Sequence, residues 1–164
     1  MKPTTILSSG LAGACTVTLL HETIKRVVPE PPRMDLLGMN AISKGLKKTG
    51  AKVPGENKLY AIAMAGDLVS NALYYSLAGI GGRKNALVKG SLLGLAAGIG
   101  AIVLPGPLGL NKNYSNRSTA TRLMTVGLYV AGGLVTAAIL KALEKKKKEN
   151  YDAWEQRLMT SAMG

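Results

Sequence analysis

The sequence predicts an all-α integral membrane protein: a bundle of four transmembrane helices with a short amphipathic helix in the first loop. The charged residues are concentrated between long apolar stretches, in residues 22–58, 83–89, 112–122 and 141–157. This segregation is typical of a membrane protein, because a charge at the bilayer centre costs roughly 2.5–3.5 kcal/mol. Glycine supplies 20 of the 164 residues and phenylalanine is absent, which favours helices that approach one another closely in lipid.

The first predicted span covers residues 4–24. A cleaved signal peptide is the alternative, because Lys2 precedes the segment and residues 11–15 partly match a lipoprotein cleavage box. The match is poor, since Ala12 stands where leucine is expected and apolar residues continue past Cys15 to Leu20. A retained helix is therefore the preferred interpretation.

A polar connection follows, and its prolines at positions 29, 31 and 32 predict extended chain. Within residues 33–48, four apolar residues then recur at helical spacing, with lysines largely on the other side: Leu36, Met39, Ile42 and Leu46. This pattern predicts an amphipathic helix. Two placements are consistent with it, on the membrane surface or packed against the end of the bundle.

The second and third predicted spans cover residues 59–79 and 86–104, and Pro105 ends the latter. In the third span, Gly90, Gly94 and Gly98 are four residues apart, so they form one stripe suited to close helix packing. A re-entrant third segment is the alternative, but its length and regular glycine spacing favour a full span.

The fourth predicted span covers residues 119–143 and completes a membrane domain of residues 1–144. Residues 145–164 are predicted to form a basic surface tail. Four lysines at its start, Lys145, Lys146, Lys147 and Lys148, are expected to contact anionic lipid headgroups. The formal net charge of +12 comes with only 4% aromatic residues, which favours lipid over nucleic acid as the counter-charge. In a four-span topology, the lysine and arginine residues are almost equally divided between the two sides of the membrane. Their distribution therefore predicts no orientation.

Polar residues inside the predicted spans define the candidate site. Asp67 lies near the middle of the second span, and Asn71 and Tyr74 follow on the same helical face. His21 and Glu22 lie late in the first span. An intramembrane carboxylate is typical of a proton or cation path, but a structural hydrogen bond between helices is the favoured interpretation.

No pattern in the sequence predicts a catalytic residue, a metal site or a cofactor. The nucleophile, paired-histidine and phosphate-loop motifs are absent, and Cys15 is the only cysteine. His21 is the only histidine, without the neighbouring ligands that a metal site needs. The sequence therefore gives no support for an enzyme.

The stretch Val27-Val28-Pro29-Glu30-Pro31-Pro32-Arg33, with Asp35, directly follows the first predicted span. It resembles the Pro-Pro-Arg element of the YagU-type family of small bacterial inner-membrane proteins. The resemblance implies about four spans and a location in the bacterial inner membrane. It also implies the link to acid tolerance that is suggested for some members.

The leading functional hypothesis is a non-enzymatic membrane scaffold or accessory subunit, self-associating or bound to a larger complex. The glycine stripes leave helix faces available for partners. The alternative is a small proton-linked transporter or channel that uses Asp67. A lipid-modifying enzyme is a third hypothesis, and it requires a polar cavity with convergent acids or bases at a membrane face.

Overall fold

The structure is a computed structural model that describes residues 1–82 and 84–162, and its regular elements there are all helical. This confirms the all-α class. The helices are α1 (Pro3–Val27), α2 (Met34–Lys48), α3 (Glu56–Ser76), α4 (Ala86–Val103), α5 (Asn113–Asn116) and α6 (Thr119–Ala162). A short 3-10 turn, Leu77–Gly79, follows α3.

Three of the described helices, α1, α4 and α6, are long and apolar enough to cross a membrane. Four such spans were predicted, and α3 is the one that does not qualify. With 21 residues it is about 30 Å long, which is sufficient. Its apolar character is reduced by Asp67, Ser70 and Asn71, which interrupt the middle of the helix.

The predicted tail is not a separate element in the structure. Helix α6 continues without a break from Thr119 to Ala162, so its 44 residues extend about 66 Å. No glycine or proline lies between residues 134 and 162, and lysine, glutamate and alanine favour helix. The side chains of Lys147 and Lys148 lie outside the described part of the chain, as do residues 163 and 164.

Helices α1 and α6 form the centre of the bundle. Helix α1 packs antiparallel to both α3 and α6. Helix α4 packs against α6 over most of the length of α4. Helices α3 and α4, by contrast, contact each other only slightly. The bundle is therefore closed on three sides and leaves a gap between α3 and α4.

The glycine stripe of α4 faces α6 at backbone distance. Gly90, Gly94 and Gly98 are all buried. A methyl group added at Gly94 would lie 2.5 Å from the carbonyl oxygen of Tyr129 and 2.7 Å from Cα of Val130. These distances are shorter than van der Waals contact, so only glycine permits this approach of the two helices.

Helix α2 packs against the bundle end, which was one of its two predicted placements. Gly38 faces the Cβ of Ala63 on α3. Lys44 Nζ donates hydrogen bonds to the carbonyl oxygens of Leu108 at 2.8 Å and Gly109 at 3.1 Å. These contacts join α2 to the loop after α4, so the two long connections form one cap over this end of the bundle.

Candidate functional site

Two groups of polar side chains lie inside the protein. The first lies where α1 meets α2 and α3, and we call it the clamp: His21, Glu22, Lys25, Arg33, Asp35 and Tyr60. The second lies deeper between α3, α4 and α6, and we call it the inner layer: Asp67, Asn71, Tyr74, Tyr75 and Tyr129. The five predicted site residues are divided between these two groups.

The position of the clamp depends on the direction that the chain takes after α1. Prolines at 29, 31 and 32 exclude helix, and the extended chain returns across the end of α1. His21 is only 3% exposed, and its Nε2 lies 2.9 Å from the carbonyl oxygen of Pro32 and 3.3 Å from the backbone nitrogen of Met34. A protonated Nε2 donates to the Pro32 carbonyl oxygen, whereas an unprotonated Nε2 accepts from the Met34 N–H, so the tautomer of His21 decides which of the two bonds forms. His21 thus fastens the proline segment to α1.

Asp35 is the most buried charge of the clamp, with 4% exposure. Arg33 donates from Nε to Oδ1 at 3.0 Å and from a terminal nitrogen to Oδ2 at 3.0 Å. Lys25 Nζ donates to Oδ2 at 3.3 Å. Burial by itself raises the pKa of Asp35, but hydrogen bonds from Arg33 and the Leu36 backbone, with the nearby cationic charges, outweigh it and lower the pKa. Asp35 is therefore ionised and fully paired.

Glu22 connects the clamp to α3. Lys25 Nζ donates to Glu22 Oε1 at 2.6 Å, and the Tyr60 hydroxyl donates to the same oxygen at 3.2 Å. The Lys25 ammonium also lies 5.4 Å from the centre of the Tyr60 ring, a cation–π contact. Two carboxylates and two cations thus balance each other and join α1, α2 and α3.

Because of the clamp, we expect the free energy of unfolding to depend on pH in the acid range. The pKa of Asp35 in the folded protein lies below its ordinary value of 3.8. The stabilisation that ionised Asp35 contributes is therefore fully present above that pH, and it is lost as the pH falls through the pKa of the folded state. Unfolding in detergent at a series of pH values tests this. The stability difference between wild type and Asp35→Asn should be constant above pH 4 and shrink at lower pH. A difference that grows on acidification would contradict the assignment.

In the inner layer, two tyrosines bind helix backbones. The Tyr75 hydroxyl donates to the carbonyl oxygen of Tyr129 at 2.7 Å, and the Tyr74 hydroxyl donates to that of Leu93 at 3.0 Å. Each bond joins α3 to a different helix, α6 in the first case and α4 in the second. The hydroxyl protons of both tyrosines are therefore used by helix backbones, and these bonds hold α3 in place.

Asp67 and Asn71 differ in their surroundings. The Asp67 carboxylate is half-buried, close to the Asn71 amide and within electrostatic reach of His21. Asn71 is 8% exposed, and its Nδ2 has no hydrogen-bond partner. Asp67 is thus the member of the inner layer nearest the clamp, and its carboxylate is the acceptor beside the buried Asn71 amide.

A cavity of about 530 Å³ lies in the gap between α3 and α4. Its walls are mostly apolar and come from α4, the loop after α4 and Leu37 of α2. Ser70, Asn71 and Tyr74 of α3 contribute polar groups, together with Tyr129 of α6. Asp67, His21 and Glu22 do not line it, so the structure separates the predicted carboxylate site from the cavity.

Sequence reasoning missed three members of the clamp: Arg33, Asp35 and Tyr60. Arg33 and Asp35 belong to the proline-rich element, but nothing in the sequence shows that they meet α1. The spacing of Glu22 and Lys25 predicts their ion pair. In the described part of the chain, no group of three or more His, Cys, Asp or Glu side chains converges as a metal site would require.

The comparisons with known proteins identify no relative: no family model, no curated protein and no solved structure matches this chain. The resemblance to the YagU-type family stays a prediction. Within the described residues, what the structure establishes is an all-α fold with three helices that are long and apolar enough to cross a membrane.

Proposed function

We propose that this chain is an integral protein of the bacterial inner membrane and acts as a non-enzymatic scaffold or accessory subunit. The observation that carries the proposal is the distribution of large apolar side chains. They are exposed on the outward faces of α1, α3, α4 and α6, as at Leu19, Val69, Leu92 and Leu123. The closest contacts between helices use glycine and alanine, so many of the large apolar side chains are directed outward, toward lipid or another helix.

Helix α3 is the fourth span in this proposal, although its composition alone does not qualify it. Its exposed side includes Ile62, Val69 and Leu73, whereas Asn71 is turned inward. Near its end, α3 packs closely on Gly10 of α1. A helix with an apolar outward face and polar groups inside is suited to the bilayer, because those polar groups do not meet lipid.

Two outward glycines support association with a further helix. Gly66 of α3 and Gly127 of α6 have open space around the position of an added methyl group. Small residues allow a neighbouring backbone to approach closely in lipid. A second copy of this chain or a subunit of a larger complex would fit there. In this proposal the exposed Lys145 and Lys146, beyond the packed part of α6, contact anionic headgroups.

Crosslinking tests the scaffold proposal. In a Cys15→Ser background, Gly66→Cys and Gly127→Cys should form intermolecular disulfides in native membranes, and Gly45→Cys on the exposed side of α2 should not. The mass in detergent should exceed that of one chain. A monomeric mass, no crosslink from either position and no stoichiometric co-purifying protein would overturn the proposal.

A proton-linked transporter is the second candidate function, favoured by one observation. Asp67 lies within electrostatic reach of His21 on one side and close to Asn71, which lines the cavity, on the other. A path through these groups would need Asp67 to take up and release protons; of its two neighbours only His21 can exchange a proton with it, since the Asn71 amide does not titrate.

Proton flux into liposomes that contain the purified protein separates the two candidates. Under the scaffold proposal, we expect the same background flux from wild type, Asp67→Asn and the control Glu30→Gln. A pH-dependent flux above that of empty liposomes, abolished by Asp67→Asn and unchanged in Glu30→Gln, would replace the scaffold proposal by transport.

A further inference from the structure

Basic residues flank the α4–α6 pair unequally. These two helices are more apolar than α1, and the glycines of α4 bring them to backbone distance. Nine lysine and arginine residues lie around the start of α4 and the exit of α6, in residues 83–89 and 141–157, and three lie at the opposite end, in residues 112–122. Lysine and arginine beside a span favour the cytoplasmic side. The pair therefore orients the end of the bundle from which residues 144–162 extend, which we call the tail end, toward the cytoplasm.

The α1–α3 half of the chain has the opposite preference. Residues 25–58 carry eight basic residues, and Lys2 is the only one before α1. By itself, this half favours residues 25–58 in the cytoplasm. The fold instead holds this segment at the end opposite the tail end, where the Arg33 N–H donates to the carbonyl oxygen of Tyr114 at 2.7 Å. The charges of the two halves are therefore in conflict.

Helix α3 is required to cross the bilayer if the fold is to form there. Helix α1 begins at the tail end, where Ile6 meets Gly79, and α4 begins there too, where Ala86 packs with Leu140. The chain must therefore cross along α1 and return along α3. Yet α3 is not apolar enough to qualify as a span, and Asp67 lies in its middle, where an ionisable group is costly.

A topology in which α3 does not cross removes the conflict between the charges. With only α1, α4 and α6 as spans, the eight basic residues of 25–58 would join the nine of the tail end in the cytoplasm, and four would lie outside. In the packed fold, the nine and Lys2 lie on one side and the other eleven lie on the opposite side. Hydropathy and charge thus favour three spans, and the tertiary contacts favour four.

The contacts that oppose the three-span topology are those between α3 and its neighbours. A methyl group added at Gly10 of α1 would meet the carbonyl oxygen of Ala72 and lie 2.8 Å from the backbone nitrogen of Ser76, so glycine permits the close approach of α3. The Tyr75 hydroxyl donates to the Tyr129 carbonyl oxygen of α6 at 2.7 Å. Close packing and hydrogen bonds between helices drive their association in lipid.

We propose that α3 is a conditional span: it crosses the bilayer only while α1 and α6 hold it, and without those contacts the chain adopts the three-span topology. In that topology α1 is inverted, and residues 25–58 lie with α3 on the cytoplasmic side. The α4–α6 pair keeps its orientation in both topologies. The proposal rests on the membrane location and the fourth span proposed above, and it adds the condition under which that span exists.

Thiol labelling from outside the cell reports which topology is present. In a Cys15→Ser background, Ala51→Cys and Ala153→Cys place a reporter on exposed chain in the first loop and in the extension of α6. A membrane-impermeant maleimide is added to spheroplasts before and after permeabilisation. With no further change, we expect position 51 to be labelled from outside and position 153 only after permeabilisation.

Gly10→Leu is expected to convert the chain to three spans. Position 51 should lose most of its labelling from outside and regain it on permeabilisation, and position 153 should not change. Adding Asp67→Leu should restore the outside labelling, because a more apolar α3 inserts without help. Adding Lys47→Gln and Lys48→Gln should restore it in part, because fewer basic residues then oppose the crossing.

Gly98→Leu is the matched control for general misfolding. A methyl group added at Gly98 would lie 2.7 Å from Cα of Val126, so this variant disturbs α4 against α6 and not α3 against α1. Position 51 should stay labelled from outside. Equal loss of labelling in Gly98→Leu and Gly10→Leu would overturn the proposal, since any packing defect would then have the same effect.

Three further results would overturn the proposal. One is labelling of position 51 that is the same with and without Gly10→Leu, and another is a loss that Asp67→Leu does not restore. The third is outside labelling of position 153 in the chain without Gly10→Leu, which would reverse the orientation of α4 and α6. Extraction of the protein from membranes by alkaline carbonate would instead contradict the proposed membrane location, so the two failures are distinguishable.

Discussion

Replacing Gly94 with alanine is expected to destabilise the protein by about 1–3 kcal/mol, the usual cost of overpacking. The added methyl group would lie 2.5 Å from the Tyr129 carbonyl oxygen and 2.7 Å from Val130 Cα. Both atoms belong to the backbone of α6, so a rotamer change cannot relieve the contact. The helices must separate, which also loosens the packing on either side. Unfolding in mixed micelles with increasing denaturing detergent measures the effect.

Gly100→Ala is the matched control for this variant. Gly100 also lies in α4, but an added methyl group there would meet only Leu104 Cδ1 at 3.5 Å, an ordinary van der Waals contact. Inside a helix, alanine is more favourable than glycine by roughly 0.5–1 kcal/mol. The stability of this variant should therefore equal or slightly exceed that of the wild type. Opposite signs at the two positions are the expected result. Equal destabilisation at both would show that helix propensity, and not the approach of α4 to α6, decides the outcome.

Asp35→Asn is expected to cost about 2–3 kcal/mol at neutral pH. Breaking a buried ion pair by removing one partner costs about 3–5 kcal/mol in general, and the partial exposure of Arg33, at 39%, reduces that figure. The variant keeps the size of the side chain but leaves Arg33 and Lys25 without their shared carboxylate. It should also release the proline segment, so a protease should cut residues 28–33 faster than in wild type.

Glu30→Gln is the control for the clamp. Glu30 lies in the same segment and approaches Arg117 at 3.9 Å, but both side chains are about half or more exposed. Exposed ion pairs contribute little, so this variant should match wild type in stability and proteolysis. If Asp35→Asn matches Glu30→Gln in stability and proteolysis, the clamp does not hold the proline segment. The burial of Asp35 would then contribute nothing to stability.

Much of the fold follows from local pattern. Apolar periodicity predicts the helices, and the four-residue spacing of Gly90, Gly94 and Gly98 predicts one packing stripe. The amphipathic segment predicts α2, which begins at Met34 and ends at Lys48. The extent of α6 is less well predicted, since the lysine run marks a change of environment and does not interrupt helix. Hydropathy sets α3 apart from the other three long helices, because Asp67, Ser70 and Asn71 lower its apolar character.

The candidate site could not be predicted from local pattern, because its residues are distant from one another in the sequence. His21 and Asp35 belong to separate elements, and Tyr60 of α3 reaches Glu22 of α1 only because the two helices run antiparallel. Asp67 is the residue that the sequence marks most clearly, since an ionisable group in an apolar stretch is rare. Its neighbours depend on the rotation of α3, which turns Asn71 and not Asp67 toward the cavity.

The sequence by itself determined the all-α class, the apolar helices, the glycine stripe and the presence of polar groups inside the bundle. Each of these depends on residue type and spacing along one helix. Only the tertiary structure decided that the proline-rich element is clamped by Asp35, that a cavity lies between α3 and α4, and that Asn71 lines this cavity whereas Asp67 does not. These depend on the relative positions of different helices, which result from packing over the whole bundle and leave no local pattern in the sequence.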